Sequence, residues 1–564
     1  MANYQQPTTF QLNPSYVELE DLQRQPSASH GDDEEYDPKN DTSYSASSYK
    51  PAEGSDHSSE KIGFWRAVRK HPWVFIYCFV IAIVAGAVGF QGSTLGAVTG
   101  GEKFTEDYGD TDKDGEKYLS SLWLSIWQAV PPICGAFGCI LGGWVQDRIG
   151  RKFTLMGVGI LNAVSVAFLV FSHALPALNS RRGILTVGMG IQGLANSGLQ
   201  VVAFTYVSEI STESMRDGNM VMIPLCSLLG QFVGSAFMGV ATKLDGKNKY
   251  IVPFAVGWLV GVVTVPLSLI IPDSAVFLVR SGQEARALRT IQRLLSKKVN
   301  AYVELDKIRH AVEEERMVTK DATYISCFKG INLRRTLIVI LVSAFPAILG
   351  LDILSNAPVF LATIGIESET TRVTFMAVGI IIAIVCLGVG TWIGTLVGLR
   401  RATLVSLVFA AIAWTVMGAS GFFGGGVAPW IGAVALYGTL ISGGLGCWPA
   451  SFAYMGSLSS LQLRALTQGL SGVASSAASA LMGAVLPQLF REDAAGLGAK
   501  VGFVFTGTCL LGAGLSWLYL PEIKGRTVHE LDKMFEARLP TRRFRDWNLA
   551  DADVREEALP LAAT

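Results

Sequence analysis

The densest group of ionisable side chains lies between Gly143 and Lys152, where the sequence reads Gly-Trp-Val-Gln-Asp-Arg-Ile-Gly-Arg-Lys. The segment separates two long apolar runs, so Asp147 and its basic neighbours are expected where the chain leaves a membrane. Basic residues stay on the side that does not translocate, which predicts a cytoplasmic position. An acid among these bases is explained by an ion pair across a helix boundary, so the motif's chemistry is charge pairing.

Asp352 is a second residue whose type and position indicate function. By the span limits given below, it is the only Asp, Glu, Lys or Arg well inside an apolar run, and it lies 17 residues after Arg335. A charged side chain at that depth costs about 2.5–3.5 kcal/mol on insertion scales, so we expect Asp352 to face a wet cavity. One hypothesis is a proton carrier, and the other is a protonated or hydrogen-bonded structural residue.

The elements that must position these residues follow from the composition. Half of the 564 residues are apolar and only 16% are charged, a balance typical of a multi-pass membrane protein. Sixty glycines suit closely packed membrane helices. The zero net charge gives no indication of nucleic acid, and the eight cysteines lack ligand spacing, so no metal or cofactor is predicted.

Twelve apolar runs are long enough to cross a bilayer, which requires about 20 residues per helix. They lie near 73–97, 119–143, 153–175, 183–205, 219–241, 250–271, 336–361, 373–397, 402–424, 428–455, 466–490 and 500–520. The predicted fold class is therefore an all-α multi-pass membrane protein with 12 transmembrane helices.

A long polar stretch divides these runs six and six. The predicted organisation is a disordered cytoplasmic tail (1–62), a six-helix bundle (63–272), a cytoplasmic linker with short helices (273–335), a second six-helix bundle (336–520) and a cytoplasmic tail (521–564). Basic residues concentrate on the side shared by both termini, which predicts that both tails are cytoplasmic. Arg181 and Arg182 depart from that rule.

The loops of the two halves resemble one another. The segment Asp147–Lys152 after the second span corresponds to Thr395–Arg401 after the eighth. Glu209, with an arginine seven residues on, corresponds to Ser457 with an arginine at the same distance. A duplicated six-helix unit is typical of transporters in which one half rocks against the other.

Several motifs together resemble the sugar porter family of the major facilitator superfamily, and most of all its fungal maltose and alpha-glucoside permeases. The matching segments are Gly143–Lys152, Tyr206–Ile210 with Arg216, Gly230–Gln231, Pro272–Ser274, Phe328–Thr336, Pro521–Thr527 and Glu530–Asp532. The resemblance spans residues 65 to 545 and implies the major facilitator fold, two pseudo-symmetric six-helix bundles that alternate in access.

The resemblance also implies a gating charge network that holds the two halves together when the pathway opens outward. The candidate members are Asp147, Arg148, Arg151, Glu209, Arg216, Arg464 and Glu522. Thr395 and Ser457 stand where the family usually has acids, so we expect a lopsided network. The alternative is that these residues only anchor helix ends at the lipid headgroups.

The candidate solute site departs from the family pattern. Family sites bind sugar hydroxyls with amides, and the matching positions here are Pro224, Pro346, Asp352 and Ser475. Each missing amide bond weakens recognition by about 0.5–1.5 kcal/mol, which argues against an ordinary hexose bound in the ordinary way. The remaining solute-binding candidates are Gln91, Gln128, Gln192, Asn196, Gln231, Asp352, Asn356, Trp448 and Phe452. For most of these the alternative is a satisfied interhelical hydrogen bond or simple packing.

Coupling is left open by the sequence. Gln91 stands where proton-coupled members carry an Asp, so the chain is either a passive facilitator or one in which Asp352 carries the proton. The predicted function is alternating-access transport of a sugar-like or polyol-like solute. The alternatives are a transporter or exporter of a less polar fungal metabolite and, opposed by the short tail 521–564, a non-transporting sensor.

An enzyme is the least expected class, because no nucleophile–base pair, phosphate loop or metal cluster is recognisable. The predicted partners are a small solute, the lipid bilayer and protons if transport is coupled. The chain is expected to act as a monomer in a membrane, most simply the plasma membrane.

Overall fold

The computed structural model describes residues 64–112, 115–295, 300–319, 323–423, 426–459, 463–524, 526 and 528–544. The predicted disordered tail 1–62 and the end of the C-terminal tail lie outside the described residues.

The first half contains six long helical segments, numbered here as spans. They are Pro72–Val98, Ser121–Ile149, Arg151–Phe171, Leu178–Ile210, Glu213–Ala241, and a sixth formed by Asn248–Val256 and Trp258–Ile270. A helix at Phe64–Lys70 precedes them, and the first loop holds helix Glu102–Tyr108 and a two-stranded hairpin of Asp110–Thr111 and Lys117–Tyr118. Short 3₁₀ turns at Ser172–Ala174 and elsewhere complete the loops.

The linker and the second half follow the same plan. The linker contains helices Ala275–Arg280, Glu284–Leu294 and Ala301–Thr319 and a 3₁₀ turn at Tyr324–Phe328. The seventh span consists of Gly330–Ser343, Phe345–Ile348, Asp352–Ser355 and Ala357–Thr363. Spans eight to twelve are Glu369–Val397, Leu399–Ser420, Ala428–Ser457 with a π turn at Gly443–Cys447, Arg464–Phe490 and Gly502–Tyr519, followed by helix Val528–Glu536.

Ten of these segments in the described part of the chain have the length and hydropathy needed to cross a membrane. The fourth span is a continuous 33-residue helix, but it is less apolar than the ten because it carries several polar side chains such as Asn196. The seventh is apolar enough to be recognised in the sequence, but it is interrupted. That these two segments also cross the membrane, which would give twelve spans, stays a prediction.

Small residues set the helix contacts within each half. A Cβ added at Gly230 of the fifth span would lie 1.7 Å from the carbonyl oxygen of Gly86 in the first span. A Cβ at Gly138 of the second span would lie 2.3 Å from the carbonyl oxygen of Leu194 in the fourth. Glycine at these crossings lets the two backbones touch, which is how membrane helices gain packing energy.

The loops show a structural repeat that links the two halves. Tyr206 donates its hydroxyl to the carbonyl of Pro272 at 2.9 Å, and Tyr454 donates to the carbonyl of Pro521 at 2.8 Å. Each bond ties the fourth or tenth span to the end of the sixth or twelfth. Corresponding residues therefore make corresponding bonds in the two halves, as expected for a duplicated unit.

A second matched pair closes the loops between spans two and three and between spans eight and nine. Gly150 and Gly398 have φ of +91° and +98°, a conformation that favours glycine. Asp273 accepts the backbone N–H of Lys152 at 3.1 Å, and Glu522 accepts that of Leu399 at 3.2 Å. An acid following the last span of each half thus caps the start of a neighbouring helix, where negative charge is favourable.

Candidate functional site

Two ends of the helix assembly are distinguished below. The linker face is the end that carries residues 273–295, 300–319 and 323–329 and the loops 150–152 and 398–400. The loop face is the opposite end, with residues 99–112, 115–120 and 491–497. The second and eleventh spans, one from each half, pack against each other between these faces. The candidate site lies along this junction.

The two halves are joined at the loop face by hydrogen bonds between the second and eleventh spans. The backbone N–H of Ser121 donates to Oδ2 of Asp493 at 2.7 Å, and Nε2 of Gln488 donates to Oγ of Ser125 at 3.3 Å. Arg491 also donates to the carbonyl of Leu119. These bonds hold the two halves together at the loop face.

Asp493 is held in its charged form by this arrangement. Burial acts to raise the pKa of Asp493, but the hydrogen bonds from Ser121 and the charge of Arg491 outweigh it and lower the pKa below its usual value. The side chain lies in the loop after the eleventh span. Its carboxylate is therefore available to hold the loop face closed at neutral pH.

Deeper along the junction, two side chains have polar atoms without partners. Both amide atoms of Gln128 are buried and make no hydrogen bond, and the same is true of Oδ2 of Asp352. Asp352 contacts the hydroxyl of Ser479, and a Cβ at Gly483 would lie 2.6 Å from the carbonyl oxygen of Gln128. Because Ser479 and Gly483 are one helical turn apart, the Asp352 carboxyl and the Gln128 backbone contact the same face of the eleventh span.

A break in the seventh span positions Asp352. Gly350 has φ of +72°, and a Cβ there would lie within 2.7 Å of the Trp414 ring. The backbone oxygens released by the break have partners, because Trp414 Nε1 donates to the carbonyl of Leu349 at 2.9 Å and the Thr508 hydroxyl to that of Ile348 at 2.9 Å. Irregular backbone is tolerated at membrane depth only when its polar groups are satisfied in this way.

Three of the predicted amides, Gln91, Gln192 and Asn196, lie in the interior of the first half. Asn162, which was not predicted from the sequence, lies with them. Nε2 of Gln91 donates to Oδ1 of Asn162 and to the carbonyl of Gly257, both at 2.9 Å, and Asn162 donates to Asn196 at 2.8 Å. Gln91 and Gln192 border a cavity of about 10 Å³, on the order of one water probe. Gln91 thus makes the interhelical bonds of the structural alternative, and its solute-binding role stays a prediction.

Asn162 could have been found from the sequence, since it is an amide near the middle of the third apolar run. Ser479 gave no such signal, because serines are common throughout the eleventh run. Gln488 and Asp493 lie at the end of that run, where polar residues are ordinary.

The other solute-binding candidates are scattered around the junction. Nδ2 of Asn356 donates to the backbone carbonyl of Asp352 at 3.1 Å, so Asn356 stabilises the broken segment. Gln231 and Trp448 are partly buried, and Phe452 is exposed. None of the described hydrogen bonds joins these three residues to Gln128 or Asp352. Their roles in solute binding stay predictions.

The gating candidates of the first half form an ion-pair cluster within that half. Arg151 is almost fully buried, and its Nη2 lies 2.7 Å from Oε1 of Glu209 and 3.2 Å from Oδ1 of Asp147. Its Nη1 donates to the carbonyl of Gln146 at 3.1 Å. The cluster joins the second, third and fourth spans, so in this conformation these ion pairs do not link the two halves.

The corresponding positions of the second half are neutral. Thr395, Leu399 and Ser457 stand where the first half has Asp147, Arg151 and Glu209. Thr395 and Ser457 donate to carbonyls of their own helices. The charged triad of the first half therefore has a neutral counterpart in the second, and the gating role of the triad stays a prediction.

The remaining gating candidates do not join this triad. Glu522 accepts backbone N–H groups of Leu399 and Lys524, and Arg148 lies over the Trp144 ring at 4.6 Å. Arg216 is exposed at the start of the fifth span. The side chain of Arg464 lies outside the described residues.

Comparisons with known proteins match this architecture. The profile of the family described as "Sugar (and other) transporter" matches residues 77–535. An MFS transporter of Aspergillus fumigatus is 25% identical over 509 residues, which cover 87% of this chain and 92% of that protein. A maltose permease of Saccharomyces cerevisiae is 26% identical over 508 residues, covering 88% and 81%.

A solved structure supports the same fold. The xylose transporter XylE from E. coli, in a partially occluded inward-open conformation, superposes with a TM-score of 0.66 at 16% identity, covering 80% of this chain and 99% of that one. Its helix arrangement matches the two halves described above. The family match extends over most of the sequence, and this chain therefore belongs to the sugar (and other) transporter family and has the major facilitator fold.

Proposed function

We propose that this protein carries a sugar-like or polyol-like solute across a membrane by alternating access, with the solute bound at the junction of the second, seventh and eleventh spans. The observation that carries the proposal is a set of buried polar atoms without partners, the amide atoms of Gln128 and Oδ2 of Asp352, in a protein whose two halves repeat each other's loop contacts. Unpaired buried polar groups are costly, and a polar solute supplies their partners.

The solute class is supported by the relatives. Maltose and alpha-glucoside permeases of S. cerevisiae align with 88% of this chain, although at only 25–26% identity. A less polar metabolite as cargo is not favoured, since the family profile and most of these relatives belong to sugar carriers. The relatives are transporters and permeases rather than enzymes.

The sidedness is part of the proposal. The linker face carries most of the basic residues, which favours its assignment to the cytoplasm together with both termini, in the plasma membrane. The closed loop face then makes this an inward-facing conformation. The gating charges would meet the opposite half only when the linker face closes, as alternating access requires.

Two further parts of the proposal concern the moving bodies and coupling. Residues 63–272 and 336–520 are assigned as the two bodies that rock, because the described gating ion pairs stay within one of them. Asp352 is assigned as the proton-coupling residue, because Gln91 carries no charge and is occupied by hydrogen bonds to Asn162 and Gly257. A proton-coupled relative of the fold exists, the proton:xylose symporter XylE.

The test is uptake in a yeast strain lacking hexose and maltose carriers, with labelled sugars, polyols and apolar metabolites. We expect uptake of at least one sugar or polyol that is reduced in Gln128→Ala, since the amide contributes about 0.5–1.5 kcal/mol to binding. Gln283→Ala, at the exposed start of a linker helix, is the control. Uptake of apolar metabolites alone, by parent and variant equally, would contradict the proposal.

A further inference from the structure

Among the residues that the structure describes, no basic side chain pairs with the carboxyl group of Asp352. Its Oδ2 is buried without a hydrogen bond, and its described contact is the neutral hydroxyl of Ser479. Buried carboxylates in proteins are normally paired, because removing an unpaired charge from water costs several kcal/mol. A positive charge from outside the chain is therefore the natural partner of this group.

In the described part of the chain, the helices packed against Asp352 carry their basic residues at helix ends and not at its depth. Its segment Asp352–Ser355 contacts the first, eighth and eleventh spans and the segment Ala357–Thr363. The ionisable residues of these elements are Tyr77, Cys78, Glu369, Arg372, Cys386 and Arg464. Glu369 and Arg372 lie at the loop-face end of the eighth span and Arg464 begins the eleventh at the linker face, so the bases are at helix ends.

The neighbouring polar group is suited to a sugar. The Gln128 amide is buried without a partner and can donate to and accept from hydroxyls. The Gln128 backbone carbonyl lies against Gly483, one helical turn along the eleventh span from the Asp352 contact at Ser479. A solute that satisfies both groups bears hydroxyls at one end and a positive charge, such as a protonated amine, at the other.

We propose that the solute is an aminated sugar whose ammonium group pairs with the Asp352 carboxylate, while its hydroxyls bond to Gln128. This inference rests on the proposed transport function and names its substrate class. An ammonium donates hydrogen bonds to a carboxylate in a charge-assisted pair, which is about twice as strong as a neutral hydrogen bond.

The pairing has a consequence for protons. A single carboxyl can hold a proton or an ammonium ion, but not both. When the carboxyl is protonated, the ammonium binds as the O–H bond breaks and the proton leaves to water in the pathway, with no net change in the charge of the complex. The proton and the solute therefore compete for this carboxyl group.

The experiment measures, by calorimetry, the equilibrium binding of D-glucosamine and of D-glucose to the purified full-length protein. We expect the parent to bind glucosamine roughly ten- to a hundredfold more tightly than glucose, the range given by a charge-assisted hydrogen bond. Its affinity for glucosamine should fall as the pH is lowered from about 7 to about 5, because protons then displace the ammonium ion.

Two variants complete the experiment. Asp352→Asn should lose the preference for glucosamine and its pH dependence while still binding glucose, and Asp245→Asn, at an exposed loop position, should retain both. If Asp352→Asn does not fold, the parent's relative affinity for the two sugars and its pH dependence still test the inference. Equal affinity of the parent for the two sugars, no binding of glucosamine, or a preference retained in Asp352→Asn would overturn the inference.

The measurements distinguish failure of this inference from failure of the proposed transport function. A parent that takes up glucose in cells but shows no preference for glucosamine keeps the transport function and loses the aminated substrate. A parent that binds glucosamine with the expected pH dependence, but moves no solute into vesicles, keeps the site and loses transport.

Discussion

At the scale of single residues, Gly350 determines the path of the seventh span. Its φ of +72° is strained for any residue with a side chain, and a Cβ would overlap the rings of Trp414 and Phe505 at 2.7 and 2.8 Å. The break it permits turns the chain so that Asp352 begins a new helical turn beside the eleventh span. A single glycine therefore positions the charged residue of the candidate site.

We expect Gly350→Ala to destabilise the protein by about 1–3 kcal/mol, since both backbone strain and ring overlap oppose it. Thermal unfolding in detergent measures the change. Gly388→Ala is the matched control, because a Cβ at that helical glycine of the eighth span meets nothing within 4 Å. If both variants unfold at the same temperature, Gly350 does not have the structural role assigned to it.

At the scale of secondary-structure elements, the charged triad of the first half has a neutral counterpart in the second. Arg151 and Glu209 are mostly buried in their half, and Leu399 and Ser457 occupy the equivalent positions in the other. Replacing a complete buried ion pair is often neutral, whereas removing one member leaves an unpaired charge. The second half thus shows that the same helix packing accommodates leucine and serine at these two positions in place of the ion pair.

This comparison predicts a rescue. Arg151→Leu alone should lower the free energy of unfolding by about 3–5 kcal/mol, because it leaves Glu209 buried without its base. The double variant Arg151→Leu/Glu209→Ser, which copies the second half, should recover at least about 1 kcal/mol of that loss. Thermal unfolding of the two variants and of Glu209→Ser decides the point, and strictly additive effects would contradict the coupling.

The loop-face contact between the second and eleventh spans depends on pH through Asp493. Its lowered pKa means that the carboxylate stabilises the closed contact above the usual value of 3.8, and that this contribution is lost as the pH falls through the lowered pKa. Closure at this face should therefore be insensitive to pH near neutrality and weaken in strong acid.

Asp493→Ala should open this face at all pH values. We expect amide hydrogen exchange at the start of the second span, around Ser121, to accelerate by roughly tenfold, the effect of losing one charge-assisted hydrogen bond. Glu492→Ala, at the exposed neighbouring residue, should leave exchange unchanged. Equal exchange in the two variants would show that Asp493 does not hold the face closed.

At the scale of the whole molecule, the two halves meet along a stripe of small and polar residues. On the second span, Ser121, Ser125 and Gln128 recur at helical spacing, and on the eleventh the buried Gly483 lies against the backbone of Gln128. The close approach at Gly483 is available only to a residue without a side chain. Alternating access requires this contact to open and close once per cycle.

Gly483→Leu should therefore prevent closure of the loop face. We expect transport to fall by at least about tenfold while solute binding persists, because the site stays accessible but the cycle stops. Uptake into vesicles and equilibrium binding measure the two effects. Gly514→Leu, at an exposed position of the twelfth span with no atom within 4 Å of its Cβ, is the control. Normal uptake by Gly483→Leu would contradict the closure described here.

The sequence by itself determined the membrane class, the family and the positions of most spans, because a bilayer imposes length and hydropathy on every crossing. It also located the duplicated loop motifs and Asp352, since charges are conspicuous among apolar residues. The unequal charges of the corresponding loops follow from the same comparison of the two halves.

Only the tertiary structure decided which of these residues meet. Hydropathy is nearly the same on all sides of a buried membrane helix, so it does not indicate which face turns toward which neighbour. Gln91, for example, bonds to Asn162 inside the first half, whereas the Gln128 backbone and the Asp352 carboxyl both lie against the eleventh span, at Gly483 and Ser479. The backbone break at Gly350 depends on Trp414 and Thr508, which are distant in sequence and adjacent only after folding.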